Sequence, residues 1–220
     1  MRINAYLASQ LGISRRSADR SIREGKVLVD GETAVLGQTI DPTESQIIFD
    51  DTKVANNVPA VTTILLYKPV LYVTTRSDPE GRSTIMDLLP SDLRTLKPAG
   101  RLDFDSEGLV LLSNNGKLIY KNTHPKFGTE KEYDMHFSKP VTSDLLEAFD
   151  RGIQLSEGVA VVDRAQQKTE YSIQVVIHQG WNRQLRRMAS ACDYEVIRLI
   201  RTRLGEFRID NLKPKEWMRV

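Results

Sequence analysis

The chain has 220 residues, of which 40% are hydrophobic and 27% are charged, and its formal net charge is only +2. This composition indicates a globular protein with enough chain for one core and a second small unit. A single cysteine, Cys192, excludes an internal disulfide and a thiolate metal cluster, and the three histidines lack metal-ligand spacing. Because no apolar signal-peptide core or membrane-spanning tract is present, we expect a cytoplasmic protein with no metal and no membrane partner.

Two helices are predicted at the start of the chain. Apolar residues recur at helical spacing from Ile3 to Leu11, and Gly12 is typical of a helix end. Ser14 is typical of the N-cap of a second helix over about residues 15–25. That helix carries a row of basic side chains, Arg15, Arg16, Arg20 and Arg23. Such a row indicates either a surface for a polyanion or a solvated helix face, and the residues alone leave both open.

Short strands are predicted after these helices, which completes a first domain over residues 1–50. Val27–Val29 is predicted as a strand that leads into an Asp30-Gly31 turn, and Gln46–Phe49 as another strand. Residues 51–60 lack periodicity and have a proline near their end, which predicts an interdomain linker. A second domain then covers residues 61–220.

Strand-like and helix-like segments are mixed in this second domain. Strands are predicted at Thr62–Tyr67, Leu109–Ser113, Tyr133–Ser138, Tyr171–His178 and Glu195–Ile200. Helices are predicted at Lys117–Asn122, Ser143–Arg151 and Asn182–Cys192. Because strands outnumber helices and do not alternate strictly with them, we predict an α+β fold built on an extended, mainly antiparallel sheet.

Residues 100–109 are the most informative segment, because a Gly-Arg-Leu-Asp turn leads into an apolar run. A carboxylate beside such a run is costly to bury unless it is paired, which makes Asp103 a candidate site residue. The alternative is that Asp103 and Asp105 are turn residues with solvated side chains. An arginine keeps a buried aspartate ionised, and Arg183 and Arg186, three residues apart near a predicted helix start, are candidate partners.

Other catalytic chemistries find less support in the chain. It has no Gly-rich phosphate loop followed by Lys-Ser/Thr and no Gly-x-Ser-x-Gly elbow, which disfavours nucleotide hydrolysis and a serine hydrolase. A two-carboxylate glycosidase built from Asp103 with Asp105 or Glu107 is a further hypothesis. Alternate residues of an extended segment converge poorly on one bond, which weighs against it.

Residues 100–116, Gly-Arg-Leu-Asp-Phe-Asp-Ser-Glu-Gly-Leu-Val-Leu-Leu-Ser-Asn-Asn-Gly, resemble the catalytic motif of RNA pseudouridine synthases of the RsuA type. Residues 2–50 resemble the S4-type RNA-binding domain, with Ser14–Asp19 and Gly25–Gly31 as its markers. Further matches lie at Tyr67–Pro69, Asp78–Thr84, Thr123–Lys126, Glu130–Tyr133, Asn182–Met188 and Leu204–Glu206. The resemblance implies a small S4-like domain followed by a pseudouridine synthase domain.

The resemblance also implies roles for individual residues. Asp103 would be the nucleophile, Tyr133 the ring that stacks on the target base, and Arg186 the basic residue that salt-bridges the aspartate. RNA-binding and supporting roles are expected for Arg15, Arg16, Arg20, Arg101, Asn182, Arg183 and Gln184. One departure is Leu71, which stands where the family commonly has glycine, and leucine adopts a positive φ only at a cost.

The function that the resemblance implies is conversion of a specific uridine to pseudouridine in ribosomal RNA, on a nucleotide flipped out of its stack and without a cofactor. We expect the partner to be ribosomal RNA, free or in a pre-ribosomal particle, and the protein to be a monomer. Two alternatives stay open: a non-catalytic RNA-binding or ribosome-assembly protein that keeps the fold, and a glycosidase that acts on free sugars.

Overall fold

The computed structural model describes residues 1–55 and 60–220, which divide into two compact units, Met1–Val61 and Thr62–Val220. Part of the predicted linker, residues 56–59, lies outside the described residues. Each unit has its own hydrophobic core, so each is described by itself.

The first unit joins two helices to a small antiparallel sheet. Ser14 caps the second helix as predicted, because its hydroxyl accepts a hydrogen bond of 3.0 Å from the backbone N–H of Ser17. The elements are α1 (Ile3–Gln10), α2 (Arg15–Arg23), β1 (Val27–Val29), β2 (Glu32–Thr33), β3 (Ile47–Phe49) and β4 (Thr52–Lys53). The strand order in the sheet is β2-β1-β3-β4.

The first unit extends beyond the predicted boundary at residue 50, into the segment that the sequence had marked as linker. Asp50 and Asp51 adopt φ values of 49° and 59° and turn the chain so that β4 pairs with β3. Val54 is then buried in the core of this unit. The sequence pattern missed this strand because two residues are too few to show a period of two.

The second unit is built on a large sheet with helices packed against its strands. Its first elements are β5 (Thr63–Lys68), β6 (Lys97–Pro98), β7 (Glu107–Ser113), α3 (Gly116–Thr123), β8 (Lys131–Phe137) and α4 (Ser143–Arg151). Its later elements are β9 (Ile153–Leu155), β10 (Gly158–Ala160), β11 (Arg164–Thr169), β12 (Ser172–Ile177), α5 (Gln184–Ala191), β13 (Val196–Leu204), β14 (Phe207–Arg208) and β15 (Trp217–Arg219). Short 3-10 helices cover Ile85–Leu88, Ser91–Leu93 and Pro125–Phe127.

The main sheet has the order β11-β12-β8-β13-β7-β5-β15, with β6 and β14 attached at its sides. Its pairings are antiparallel except where β13 runs parallel to β7, with Ile200 opposite Glu107 and Arg201 opposite Gly108. The predicted α+β class with a mainly antiparallel sheet is therefore confirmed.

Gly108 is required at the parallel junction by both conformation and space. Its φ is 109°, a value that residues with a side chain rarely adopt. A Cβ atom added there would lie 2.4 Å from the carbonyl oxygen of Arg201 and 2.6 Å from its nitrogen. The glycine thus lets β7 and β13 approach closely just after the turn that carries Asp103.

The predicted elements differ from the observed ones mainly where strands are very short or exposed. α4 has the predicted bounds, whereas α5 is shorter than predicted at both ends. The strand β11 was missed, because its mostly exposed sequence Arg-Ala-Gln-Gln-Lys-Thr has no apolar alternation. Across residues 1–55 and 60–220, the helices are all too short or too polar to cross a membrane.

Candidate active site

A cleft of about 750 Å³ opens in the second unit beside the turn that precedes β7. Of the seven residues of this unit predicted to act on RNA, Arg186 does not line the cleft. The six that do are Arg101, Asp103, Tyr133, Asn182, Arg183 and Gln184. Segments far apart in the chain are thus brought to one concave surface, as expected of a ligand site.

Asp103 is held in the cleft by its backbone. Its carbonyl oxygen accepts a bond of 3.1 Å from the N–H of Ser106, which closes a tight turn at the start of β7. The preceding residue, Leu102, is tied at both its N–H and its C=O to the hydroxyl of Thr74, at 3.2 and 2.8 Å. The half-buried Asp103 carboxylate has no ion-pair partner within 4.0 Å among the described residues. It therefore faces the cleft as an unpaired acid group.

Lys68 stabilises this turn from beneath. Its fully buried ammonium group donates to the carbonyl oxygens of Pro69 and Asp103 at 3.0 Å each, and of Ser106 at 2.6 Å. Burial lowers the pKa of Lys68 to about 8. The sequence pointed to Tyr67–Pro69 as a family match but assigned Lys68 no role. A lysine that ends an apolar strand was the available signal.

The predicted Arg186–Asp103 salt bridge is not the one that the structure forms. Arg183 makes two parallel bonds of 2.7 Å to the carboxylate oxygens of Asp105. Arg186 approaches the same carboxylate at 3.3 Å and donates to the Asp105 carbonyl at 2.8 Å. The Asp103–Ser106 turn directs Asp105 rather than Asp103 toward the start of α5, which is the physical reason for the exchange.

The arginine pair has an electrostatic consequence for Asp105. The Arg183 hydrogen bonds, together with the charges of both arginines, hold the pKa of the Asp105 carboxyl below its usual range. Arg183 was predicted to lie inside the helix, but it is the N-cap residue and has a left-handed backbone conformation with a φ of 49°. Its guanidinium still lies beside that of Arg186. The pair anchors the turn two residues from Asp103.

Tyr133 forms a wall of the cleft on the opposite side of the parallel junction. It lies in β8 and pairs across the sheet with Val175 on one side and Arg201 on the other. Its ring is 8% exposed and packs in the main core. Such a ring presents an aromatic surface to the cleft without the freedom of a surface side chain.

Two further cations line the cleft and were given no role from the sequence. Lys131 donates to the carbonyl oxygens of His178, Gln179 and Thr129 at 2.9, 3.2 and 3.3 Å. Burial, together with the charge of Arg201, lowers the pKa of Lys131 to about 8. These bonds hold the segment before α5 against the start of β8.

Arg201 is the more deeply buried of the two, at 2% exposure. Its Nε donates to the carbonyl of Leu109 at 2.8 Å, and one terminal nitrogen reaches the carbonyl of Arg101 at 3.4 Å. The other terminal nitrogen is buried without a hydrogen-bond partner among the described residues. A charged residue within the strand pattern Leu-Ile-Arg was the signal that the sequence offered.

The predicted RNA-binding arginines of the first unit lie on α2. Arg15, Arg16 and Arg20 are all exposed, and Arg15 donates to the side-chain oxygen of Asn4 at 3.0 Å. Their side chains are accessible to a polyanion, and their role stays a prediction. Among residues 1–55 and 60–220, no group of three or more His, Cys, Asp or Glu is placed to hold a metal ion.

The fold and the cleft define a two-domain protein with a basic helix in the small domain and an acid–aromatic cleft in the large one. The family model described as RNA pseudouridylate synthase matches residues 62–191, and the S4 domain model matches residues 1–44. The chain therefore belongs to the RNA pseudouridylate synthase family, and the enzyme is an isomerase with an S4 RNA-binding domain, as predicted. The glycosidase and the non-catalytic alternatives are not retained.

Named relatives and a solved structure agree with this assignment. The chain is 36% identical over 207 residues to "Ribosomal large subunit pseudouridine synthase B" of Bacillus subtilis (strain 168), a match covering 91% of this chain and 84% of the relative. It is 32% identical to "Dual-specificity RNA pseudouridine synthase RluF" of Escherichia coli (strain K12), covering 99% and 74%. A crystal structure titled pseudouridylate synthase superposes with a TM-score of 0.71 at 28% identity, covering 100% and 96%.

Proposed function

We propose that this enzyme converts a specific uridine of ribosomal RNA to pseudouridine, with Asp103 as the nucleophile. The observation that carries the proposal is the unpaired Asp103 carboxylate in a cleft that also holds Tyr133. Relatives that cover most of the chain are named for the ribosomal large subunit and for RNA, which supports ribosomal RNA as the substrate.

The reaction rearranges bonds without any net loss or gain of atoms. The glycosidic bond from C1′ to N1 breaks, the uracil rotates, and a new bond forms from C1′ to C5. The proton on C5 leaves and N1 gains one, so no redox partner or energy source is needed. The Asp103 carboxylate attacks the nucleotide as a nucleophile as the uracil departs, and the bond that it forms breaks again before the product leaves, which restores the free carboxylate.

The nucleotide must leave its helical stack to reach Asp103. A cleft of about 750 Å³ lies in the size range of ligand pockets, and it has room for one nucleotide. The face of Tyr133 then stacks on the displaced uracil. Arg101, Asn182 and Arg183 are exposed along the cleft and are placed to contact the neighbouring RNA backbone.

Lys68 and the Asp105 ion pairs give Asp103 a fixed position. They hold the two ends of the turn through the carbonyl groups of Asp103 and Ser106 and through the Asp105 carboxylate. Preorganisation of this kind lowers the cost of bringing the carboxylate and the nucleotide into a reactive geometry.

The first unit is proposed to grip the RNA backbone through Arg15, Arg16 and Arg20. Contacts to phosphates add affinity with little sequence choice and weaken as salt rises. We further propose that the protein acts as a monomer in the cytoplasm.

The proposal is tested by pseudouridine mapping of ribosomal RNA from cells that lack the gene and receive it back in variant forms. We expect wild type to restore one modified uridine and Asp103→Asn to restore none while it binds the same RNA within about threefold. Asp150→Asn, an exposed aspartate of α4 that does not line the cleft, is the matched control. Full modification by Asp103→Asn would overturn the role of Asp103, and no change at any ribosomal uridine in any strain would overturn the substrate.

A further inference from the structure

One rim of the cleft carries an aromatic cluster that the proposed mechanism does not use. The rings of Tyr120 and His124 have centroids 4.7 Å apart, those of Tyr120 and Phe127 are 5.4 Å apart, and those of His124 and Phe127 are 6.4 Å apart. Tyr120 is nevertheless 44% exposed and Phe127 45% exposed. Aromatic side chains carry large apolar surfaces, and two neighbouring rings that are both about half exposed form a surface to which a ligand can bind.

The cluster is basic as well as aromatic. The ammonium group of Lys126 lies 4.9 Å from the ring centre of Tyr120 and 4.8 Å from that of Phe127. Lys117 is exposed on the same helix as Tyr120. Within the part of the chain that the structure describes, neither lysine forms an ion pair. Their charges are therefore available to a phosphate rather than neutralised by a carboxylate.

The cluster is continuous with the cleft and fixed in place. Asn122, Thr123, His124 and Pro125 line the cleft together with Asp103. The Nδ1 atom of His124 accepts a hydrogen bond of 3.2 Å from the backbone N–H of Lys126, which fixes the position of the ring. The surface thus begins where the nucleotide pocket ends.

We propose that Tyr120 and Phe127, with Lys126 and His124, form a stacking surface for an unpaired RNA base beside the target uridine. The inference rests on the proposed function, because a flipped uridine leaves its neighbours unstacked at the mouth of the cleft. Aromatic faces bind unpaired bases of any sequence, and adjacent cations bind the phosphates that link them. A protein partner would require a larger apolar patch with fewer charges at its centre.

The test compares Tyr120→Ala/Phe127→Ala with wild type on ribosomal RNA from cells that lack the gene. We expect KM to rise about tenfold, in the range of one lost base stack, with kcat within twofold. Tyr171→Ala is the matched control, because Tyr171 is 46% exposed but makes none of the ring contacts of the cluster. Tyr120→Phe, which keeps a flat ring, is expected to keep the wild-type KM.

Cross-linking of the unaltered protein decides the matter even if the double variant folds poorly. A ribosomal RNA transcript carrying 5-iodouridine is irradiated with the protein, and we expect cross-links on the peptide that contains Tyr120 or Phe127. Cross-links found only elsewhere, or an unchanged KM in a folded double variant, would overturn the stacking surface. If wild type makes no pseudouridine in the same ribosomal RNA without iodine, the proposed function fails first, and the two failures are told apart.

Discussion

Gly108→Ala tests the parallel junction on which the candidate active site is built. The added methyl group would meet the backbone of Arg201 at 2.4 Å from oxygen and 2.6 Å from nitrogen, and neither atom is the end of a flexible side chain. The alanine would also have to hold a φ of 109°. Both effects act on the folded state, so we expect a large loss of stability.

The magnitude follows from two contributions. A residue with a side chain in such a backbone region costs about 1–3 kcal/mol, and forcing an extra methyl group into a packed site costs about 1–3 kcal/mol more. A sum near 4 kcal/mol is a large share of the roughly 5–15 kcal/mol that stabilises a typical domain. For a unit of this size it lowers Tm by about 10 °C.

The assay is urea and thermal unfolding followed by tryptophan fluorescence. Both tryptophans, Trp181 and Trp217, lie in the second unit, so the signal reports that unit without interference from the first. Gly116→Ala is the matched control, since a Cβ at Gly116 meets nothing within 4 Å and the residue begins α3. We expect the control to be neutral or slightly stabilised. A loss below 1 kcal/mol for a folded Gly108→Ala protein would refute the close-approach argument.

Three further predictions concern the turn that carries Asp103. Asp105→Asn removes the negative charge that pairs with Arg183 and Arg186. We therefore expect kcat to fall about tenfold in an assay of pseudouridine formation, with the affinity for RNA within about threefold of wild type. An unchanged kcat would show that the ion pairs do not position the turn. Leu71 is 62% exposed and has a φ of 67°, a strained value that Leu71→Gly relieves. After the entropy cost of glycine, we expect the free energy of unfolding in urea to rise by about 0.5 kcal/mol. A fall in that free energy would contradict the strain at Leu71. Burial lowers the pKa of Lys68 from an unfolded value of about 10.4 to about 8, so its contribution to stability is full above about pH 10 and is lost as pH falls through 8. Unfolding at pH 7 and 9.5 should therefore show a smaller rise of stability with pH for Lys68→Met than for wild type, and identical slopes would count against that pKa.

The fold was predictable where each segment carried its own periodic signal. α4 begins and ends at the predicted residues because Ser143–Arg151 has a helical apolar pattern between a Thr142 N-cap and Gly152. β11 and β4 were missed, because an exposed edge strand and a two-residue strand gain their stability from pairing rather than from their own side chains. Their existence depends on partners that a local pattern does not contain.

The family match predicted most of the residues that share the cleft, but it did not predict which of the charged ones pair. Asp103 and Tyr133 lie in one cleft, as the family match implied. The arginines pair with Asp105 and not with Asp103, because a single tight turn decides which of the two carboxylates faces α5. The sequence did not predict the roles of Lys68 and Arg201 in the site, because both side chains donate to backbone carbonyls. Such bonds need no complementary side chain, so no pair of residues in the sequence suggests them.

The parallel pairing of β7 with β13 divides the main sheet of the second unit into two groups of strands. On one side are the antiparallel strands β11, β12, β8 and β13, of which β8 carries Tyr133, and on the other are β7, β5 and β15, of which β7 directly follows the turn that carries Asp103. The junction between them is spanned by the two registered residue pairs of the parallel ladder, by the hydrogen bond from Arg201 to the Leu109 carbonyl, and by the ion pair of Arg198 with Glu107. A nucleotide bound between Asp103 and Tyr133 would contact both groups of strands, so substrate binding should slow the separation of β7 from β13.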